Sequence, residues 1–257
     1  MKKILIGSVF GPSERNQTWY DLQLEFLNKT TNCKFDHVVF LSGADKKIFS
    51  SSQIIGEVEN TWEPLEVEGK TENFCPHILG VQTIIKHFHR EGYDHCLILD
   101  SDCFPIQNDW HEKLLEKMGG KSYAAPIRTE NLDVFPHPSA FFIKTLCGVR
   151  FKPTQWIKNL LGEDVLDNGS CIPMDETFPL MRTNKYNPHP IFAGIYYDMF
   201  YHHCCGSRTP DTRSTKSGYY DILMSQEEHV RIEQYLFEAL KKNPSAFLKK
   251  LKCTISL

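Results

Sequence analysis

Three strand-length apolar runs, separated by segments with helical spacing, constrain this chain more than any other feature of its sequence. Residues 3–10 (KILIGSVF) form the first run and stop at Gly11-Pro12. Residues 36–42 (DHVVFLS) form the second, closed by Gly43, and residues 95–99 (HCLIL) form the third. Between the first two, Trp19, Leu22, Phe26 and Leu27 fall at helical spacing. Between the second and third, Ile78, Leu79, Val81, Ile84, Ile85 and Phe88 do the same, and Gly92 ends the pattern. A strand apolar on both faces is buried between two layers, as central parallel strands are. Strands alternating with helices build right-handed βαβ units. The expected fold class is therefore α/β: a single domain with a mostly parallel central sheet flanked by helices.

The remainder of the chain is less regular. Trp62–Val67 reads as a short strand, and Asp109 is placed to cap a helix that runs to Met118 and stops at Gly119-Gly120. Tyr123–Pro126 and Ser139–Lys144 read as strands, Pro153–Leu161 as a helix and Asp175–Met181 as a short helix. Proline, histidine, glycine and aromatic residues crowd the stretch from Asn187 to Gly218, which suits site-forming loops. Ser225–Lys242 is a helix with Val230, Ile232, Tyr235, Leu236 and Leu240 on its apolar side, and the tail from Ala246 is basic and amphipathic.

Composition excludes some classes of function. With 257 residues and 41% hydrophobic content the chain can bury a full core. Its formal net charge of −3 gives no global attraction to nucleic acid or to an anionic membrane. The apolar run after Lys2-Lys3 is too short for a signal peptide followed by cleavage, and no run approaches the length of a membrane span. Nine cysteines, an odd number without a CxxC pair, point to reduced, buried thiols and a cytoplasmic location.

The chemistry is concentrated at the end of the third apolar run, Leu97-Ile98-Leu99-Asp100-Ser101-Asp102-Cys103-Phe104-Pro105. Asp-x-Asp by itself is common in turns and helix caps; its position after a buried strand makes this copy informative. Ligands of open α/β sheets bind beyond the carboxyl ends of the strands. In an extended chain residues i and i+2 point the same way, so Asp100 and Asp102 can face one ion. Hard oxygen ligands with open positions suit Mg²⁺ or Mn²⁺ held together with substrate phosphates. Such a cation relieves the repulsion between a diphosphate and a protein carboxylate.

This stretch resembles the DxD motif of the GT-A superfamily of nucleotide-sugar-dependent glycosyltransferases, which has a Rossmann-like fold. The resemblance implies a metal-dependent transferase moving a sugar from a nucleotide-diphosphate donor, a UDP-sugar by expectation, to an acceptor hydroxyl on a glycan, lipid, protein or modified nucleic acid. Residues 1–105 would hold the nucleotide and residues 106–257 would shape the donor-sugar and acceptor sites. Tyr201-His202-His203-Cys204-Cys205-Gly206-Ser207-Arg208 is similar to a C-terminal His-x-x-Gly element. That element implies His203 as a third metal ligand beside Asp100 and Asp102, with His202 competing, and Arg208 on the diphosphate. An imidazole ligand favours Mn²⁺ over Mg²⁺. Pro173-Met174-Asp175-Glu176 resembles the acidic element near the acceptor, so Asp175 or Glu176 would act as catalytic base or hold the sugar; helix capping by Asp175 is the plainer alternative. Ser8, at the end of the first strand, and Ser101, between the two aspartates, complete the expected cofactor contacts with Asp100 and Arg208.

Two rival readings share the motif. In a phosphohydrolase of the haloacid-dehalogenase type, Asp100 would be the nucleophile and Asp102 the acid, although that motif normally lies near the chain start. A non-catalytic GT-A-like module would bind a nucleotide or glycan without turnover.

Overall fold

The computed structural model describes residues 4–59, 64–67, 70–73, 76–120, 123–128, 135–136, 139–144, 171–174, 176–177, 194–196, 199–203 and 226–255. The first strand, β1 (Ile4–Phe10), is buried along its whole length. Helix α1 (Asn16–Thr30) leads to β2 (Phe35–Ser42), and β3 (Gln53–Val58) follows after a single 3₁₀ turn. A small hairpin, β4 (Pro64–Val67) with β5 (Lys70–Asn73), precedes helix α2 (Pro76–Glu91). Next come β6 (His95–Asp100), β7 (Cys103–Pro105), α3 (Trp110–Met118), β8 (Tyr123–Arg128), β9 (Phe135–Pro136) and β10 (Ala140–Ile143). The described part of the second half holds β11 (Cys171–Met174), β12 (Glu176–Thr177), β13 (Gly194–Tyr196), β14 (Phe200–His202), α4 (Gln226–Lys242) and α5 (Pro244–Ile255).

The main sheet has eight strands in the order β11-β8-β10-β6-β1-β2-β3, with β9 added to β8. Strands β6, β1, β2 and β3 are parallel neighbours, and β11 is parallel to β8. Only β10, which runs antiparallel to both β6 and β8, and β9 break the pattern. The mixed α/β fold with a mostly parallel sheet is thus as the alternating pattern predicts. The period of two along β1 sorts its side chains: Leu5 and Val9 pack with Ile78, Val81, Ile84 and Ile85 of α2, whereas Ile4 and Ile6 join Trp110 and Leu114 of α3. Each large side chain so enclosed contributes about 1.5–3 kcal/mol.

Strand order fixes where a ligand can bind. From β1 the chain moves outward to β2 and β3, and α2 then returns it to β6 on the opposite side of β1. The carboxyl ends of β1 and β6 therefore flank a topological switch point, where open α/β sheets form their crevice. A second, antiparallel sheet, β12-β13-β14-β7, starts directly beyond β6.

One expectation needs correction, and one strand is added to the pattern. Glu176 and Thr177 form a strand paired with β13, not the start of a helix, because their backbone bonds go across to Ile195 and Tyr196. Gln53–Val58, in a stretch where the sequence pattern singles out no element, is a parallel edge strand. The proposed helix over Pro153–Leu161 lies outside the described residues. Among these residues no helix is long and apolar enough to cross a membrane, and Cys33, Cys96 and Cys103 are free thiols.

Candidate metal centre

Strand β6 delivers Asp100 at its carboxyl end, and Ser101-Asp102 turn the chain into β7. The two carboxylates converge through this turn and not along an extended strand. Three contacts hold the turn: the Asp100 N–H donates to the Ser139 carbonyl at 3.2 Å, and the Gln23 side-chain amide donates to the carbonyls of Asp100 and Cys103 at 2.7 and 2.8 Å. Gln23 is fully buried on the inward face of α1, and Ser8 Oγ donates to its Oε1 at 3.0 Å.

Strand β14 brings the third group. It pairs with β7 so that His202 lies opposite Cys103, and the His203 N–H donates to the Asp102 carbonyl at 3.1 Å. His202 Nε2 stands 3.6 Å from Asp100 Oδ2 and 3.4 Å from Asp102 Oδ1. One ligand atom from each of Asp100, Asp102 and His202 lies within 4.8 Å of the others, a spacing suited to a single ion. His202 Nδ1 is hydrogen-bonded to the Tyr196 hydroxyl at 2.6 Å, and Ser139 Oγ donates to that hydroxyl at 3.2 Å. A ring fixed through one nitrogen and presenting the other is how ligating histidines are oriented.

The expectation that His203 faces the ion gives way to His202 for a simple geometric reason. Neighbouring residues of an extended strand project to opposite sides. His203 points with Tyr201 into the core beneath α1 and α4: its Nδ1 bonds the Tyr201 hydroxyl at 2.6 Å, its Nε2 bonds Glu233 at 3.1 Å, and its ring packs on Trp19. Glu233 is itself buried and ion-paired with Arg15. His203 thereby ties the C-terminal helices to the strand that carries His202.

Electrostatics favour an ionised Asp102. Burial pushes Asp102 up, but the charge of His202, a hydrogen bond from its ring and the charge of His203 outweigh that effect and hold the carboxyl down at about 2. Asp100 is the more open of the two, with 18% of its side chain exposed against 3% for Asp102. Its Oδ1 is buried and has no hydrogen-bond partner. A shielded anionic oxygen without a donor, in a set of carboxylates and imidazole, fits a bound divalent cation. The thiol of Cys103 is pushed well up by burial and by the neighbouring charges of Asp100 and Asp102, so it stays protonated beside the centre.

The other expected site residues separate into groups. Ser101 is buried in the turn between the aspartates. Ser8 is fully buried with its hydroxyl committed to Gln23 and within 3.3 Å of His37 Nε2, so it supports the turn from below and does not face the crevice. Glu176 has its backbone opposite Tyr196 in the second sheet. Asp175 and Arg208 lie outside the described residues. Gln23 and Tyr196 were not identified from sequence. Gln23 had a usable signal, since it is an amide set within the apolar stripe formed by Trp19, Leu22, Phe26 and Leu27. Tyr196 had none, because only the pairing of β13 with β14 brings it close.

No protein-family model matches the sequence, and no curated protein does. Solved structures with a similar arrangement include a protein assigned as a nucleotide-diphospho-sugar transferase from Desulfovibrio desulfuricans G20, at TM-score 0.40 and 11% identity over 67% of this chain and 80% of that one. The mannosyltransferase PcManGT from Pyrobaculum calidifontis, solved with GDP-Man and Mn²⁺, has a TM-score of 0.36 and 13% identity over 56% of this chain and 44% of that one. The bifunctional glycosyltransferase WbbM gives 0.35 and 13% over 56% and 31%. This chain spans less than half the length of the latter two. Scores and identities this low leave the chemistry to be argued from the side chains at the sheet edge.

Proposed function

We propose that this chain is a metal-dependent glycosyltransferase that moves a sugar from a nucleotide-diphosphate donor to an acceptor hydroxyl, and that residues 1–257 form one GT-A-like unit. The observation that carries the reading is the convergence of Asp100, Asp102 and His202 at the switch point of a mostly parallel sheet. A divalent cation, Mn²⁺ by preference, supplies Lewis-acid charge where negative charge develops on the departing nucleoside diphosphate. Asp100, Asp102 and His202 would hold it. Tyr196 keeps the His202 ring turned toward the carboxylates, and Gln23 keeps the turn between β6 and β7 closed. The other roles are proposals from the sequence. Asp175 or Glu176 serves as base on the acceptor or as a sugar contact, and Arg208 adds positive charge to the leaving group. The pairing of β12 with β13 supports the first role by setting the Glu176 backbone one strand from the residue that orients His202. A UDP-sugar is the proposed donor, and the reading of the thiols makes the protein cytoplasmic.

The haloacid-dehalogenase alternative requires Asp102 to donate a proton. A carboxyl held ionised at about 2 is unsuited to that task.

The deciding experiment incubates the protein with a panel of nucleotide sugars and Mn²⁺ and measures released nucleoside diphosphate. Release with at least one donor, dependent on the metal and abolished in Asp102→Ala, is expected. Failure of every donor to bind or turn over, or unaltered donor binding by Asp102→Ala, removes the proposal. A phosphate trapped covalently on Asp100 would establish the phosphohydrolase instead.

A further inference from the structure

The last two helices bury one apolar face and leave a second one open. Phe237 and Leu240 of α4 and Leu248 and Leu251 of α5 are buried in the cluster that holds Trp19, Phe104 and Tyr201. Asn243 makes the bend between the helices. Its Oδ1 accepts from the Ala246 N–H at 3.0 Å and caps α5, whose first residue is Pro244. Away from the core, Tyr235, Ala239 and Lys242 recur at spacings of four and three and so share one stripe of α4. With Ala246, Phe247 and Lys250 of α5 they line an open groove of about 430 Å³, whose lining also includes Leu236 and Leu251. Among the described residues only Ile54 and Tyr235 are large apolar side chains left exposed, and Tyr235 is the more open at 69%.

Charge is gathered around this groove. From Ala239 to Ile255 the chain carries Lys241, Lys242, Lys249, Lys250 and Lys252 and neither aspartate nor glutamate. The acids of the hairpin, Glu227, Glu228, Glu233 and Glu238, all come earlier, and Glu233 is buried against Arg15 and His203. Lys241, Lys242, Lys249 and Lys250 are exposed. The formal net charge of −3 speaks against attraction of the whole molecule to an anionic surface, but not against a local seat for one. A polyanion such as a nucleic acid needs the lysines and has no use for the apolar groove. A bilayer surface uses both: lysines meet lipid phosphates, a tyrosine ring sits at headgroup level, and apolar walls take up the first part of the acyl chains.

We infer that the α4–α5 hairpin docks this protein on the surface of a bilayer containing anionic phospholipid. The contact is interfacial, with Tyr235 and Phe247 as the apolar anchors and Lys242 and Lys250, one from each helix, beside the lipid phosphates. The inference stands apart from the metal centre and from the proposed transfer reaction. The hydrogen bond between Glu233 of α4 and His203, next to His202, links the docked hairpin to the strand that carries the candidate ligand.

The test needs neither metal nor sugar donor. The full chain is sedimented with vesicles of phosphatidylcholine alone and with vesicles of phosphatidylcholine and phosphatidylglycerol in equal parts. Binding to the mixed vesicles at low salt is expected to be tighter by about tenfold or more. Lys242→Gln combined with Lys250→Gln should weaken it by about twenty-five-fold, about fivefold for each lysine, and this difference should shrink at high salt. Tyr235→Ser, which keeps every charge, should weaken binding by about fivefold at low and high salt alike. Circular dichroism confirms that the variants fold; if the paired lysine variant does not, the salt dependence of the native protein and Tyr235→Ser decide. Equal binding to both kinds of vesicle, or native binding by the paired lysine variant, overturns the inference. If Tyr235→Ser binds vesicles like the native protein while single-stranded DNA is held through the same lysines, the face is a nucleic-acid surface and the lipid seat is excluded.

Discussion

At the scale of single residues, the candidate centre depends on groups outside the Asp100, Asp102 and His202 set. Tyr196 is fully buried and its hydroxyl stands between Ser139 Oγ and His202 Nδ1. With His202 Nε2 turned to the carboxylates, Nδ1–H donates to the tyrosine oxygen, so the hydroxyl selects both the rotamer and the tautomer. Tyr196→Phe keeps the ring and deletes that oxygen. We expect Mn²⁺ affinity to fall by about tenfold and stability by about 1 kcal/mol, since Ser139 and His202 each lose a buried partner. Calorimetric titration and denaturant unfolding measure the two effects, and an unchanged affinity would exclude the positioning role. The same residues mark how much of the site could be read from sequence. Asp100 and Asp102 were legible because they end an apolar run, a local property. The choice between His202 and His203 was not, because it depends on which face of β14 meets β7. That register is set by pairing between residues about 100 positions apart.

At the scale of elements, helix α2 positions the crevice. Gly80 lets the helix approach until side chains of Val9 and Phe40 would crowd any added carbon at 2.8 Å. Gly80→Ala therefore brings a clash as well as the usual gain in helix propensity, and the clash dominates. We expect a loss of about 1–3 kcal/mol by denaturant unfolding. A stability equal to that of the native protein would show that the helix is not held by this contact. The helices and the buried strands β1, β2 and β6 were readable because each presents an unbroken apolar pattern to a core. Strand β3 was missed because it sits at the sheet edge, where its residues are exposed or half-buried without a clean alternation and Ile54 is left 37% exposed. Strand β12 was missed for a different reason. Two residues carry no period, and only their pairing with β13 makes them a strand.

At the scale of the whole molecule, a chain of polar contacts links the sheet edge to the centre and makes stability depend on pH. His37 of β2 is bonded through Nδ1 to Ser52, just ahead of β3, lies within 3.3 Å of Ser8 of β1 through Nε2, and is stacked on Tyr20 of α1. Ser8 in turn donates to Gln23, which closes the turn carrying Asp100 and Asp102. Burial lowers His37 from 6.5 to about 4, so the native state holds it neutral where the unfolded chain would protonate it. A base whose value is depressed on folding contributes its stability fully above its unfolded value. That contribution is lost as pH falls, here from about 6.5 down to about 4, at up to 1.4 kcal/mol per unit. The residue is only half-buried as a whole, which reduces the total to about 2–3 kcal/mol. The depressed carboxyl of Asp102 acts in the same direction at lower pH, its contribution fading between its ordinary value of 3.8 and about 2. Stability should therefore decline in two stages on acidification. In His37→Asn, which bonds but does not titrate in this range, the first stage should flatten while the second remains. Unfolding free energies measured from pH 7.5 to 3.5 decide the first stage: an identical slope between pH 6.5 and 4.5 in both proteins would mean that His37 is protonated in the native fold and that the network joining β2 to the centre tolerates a charge.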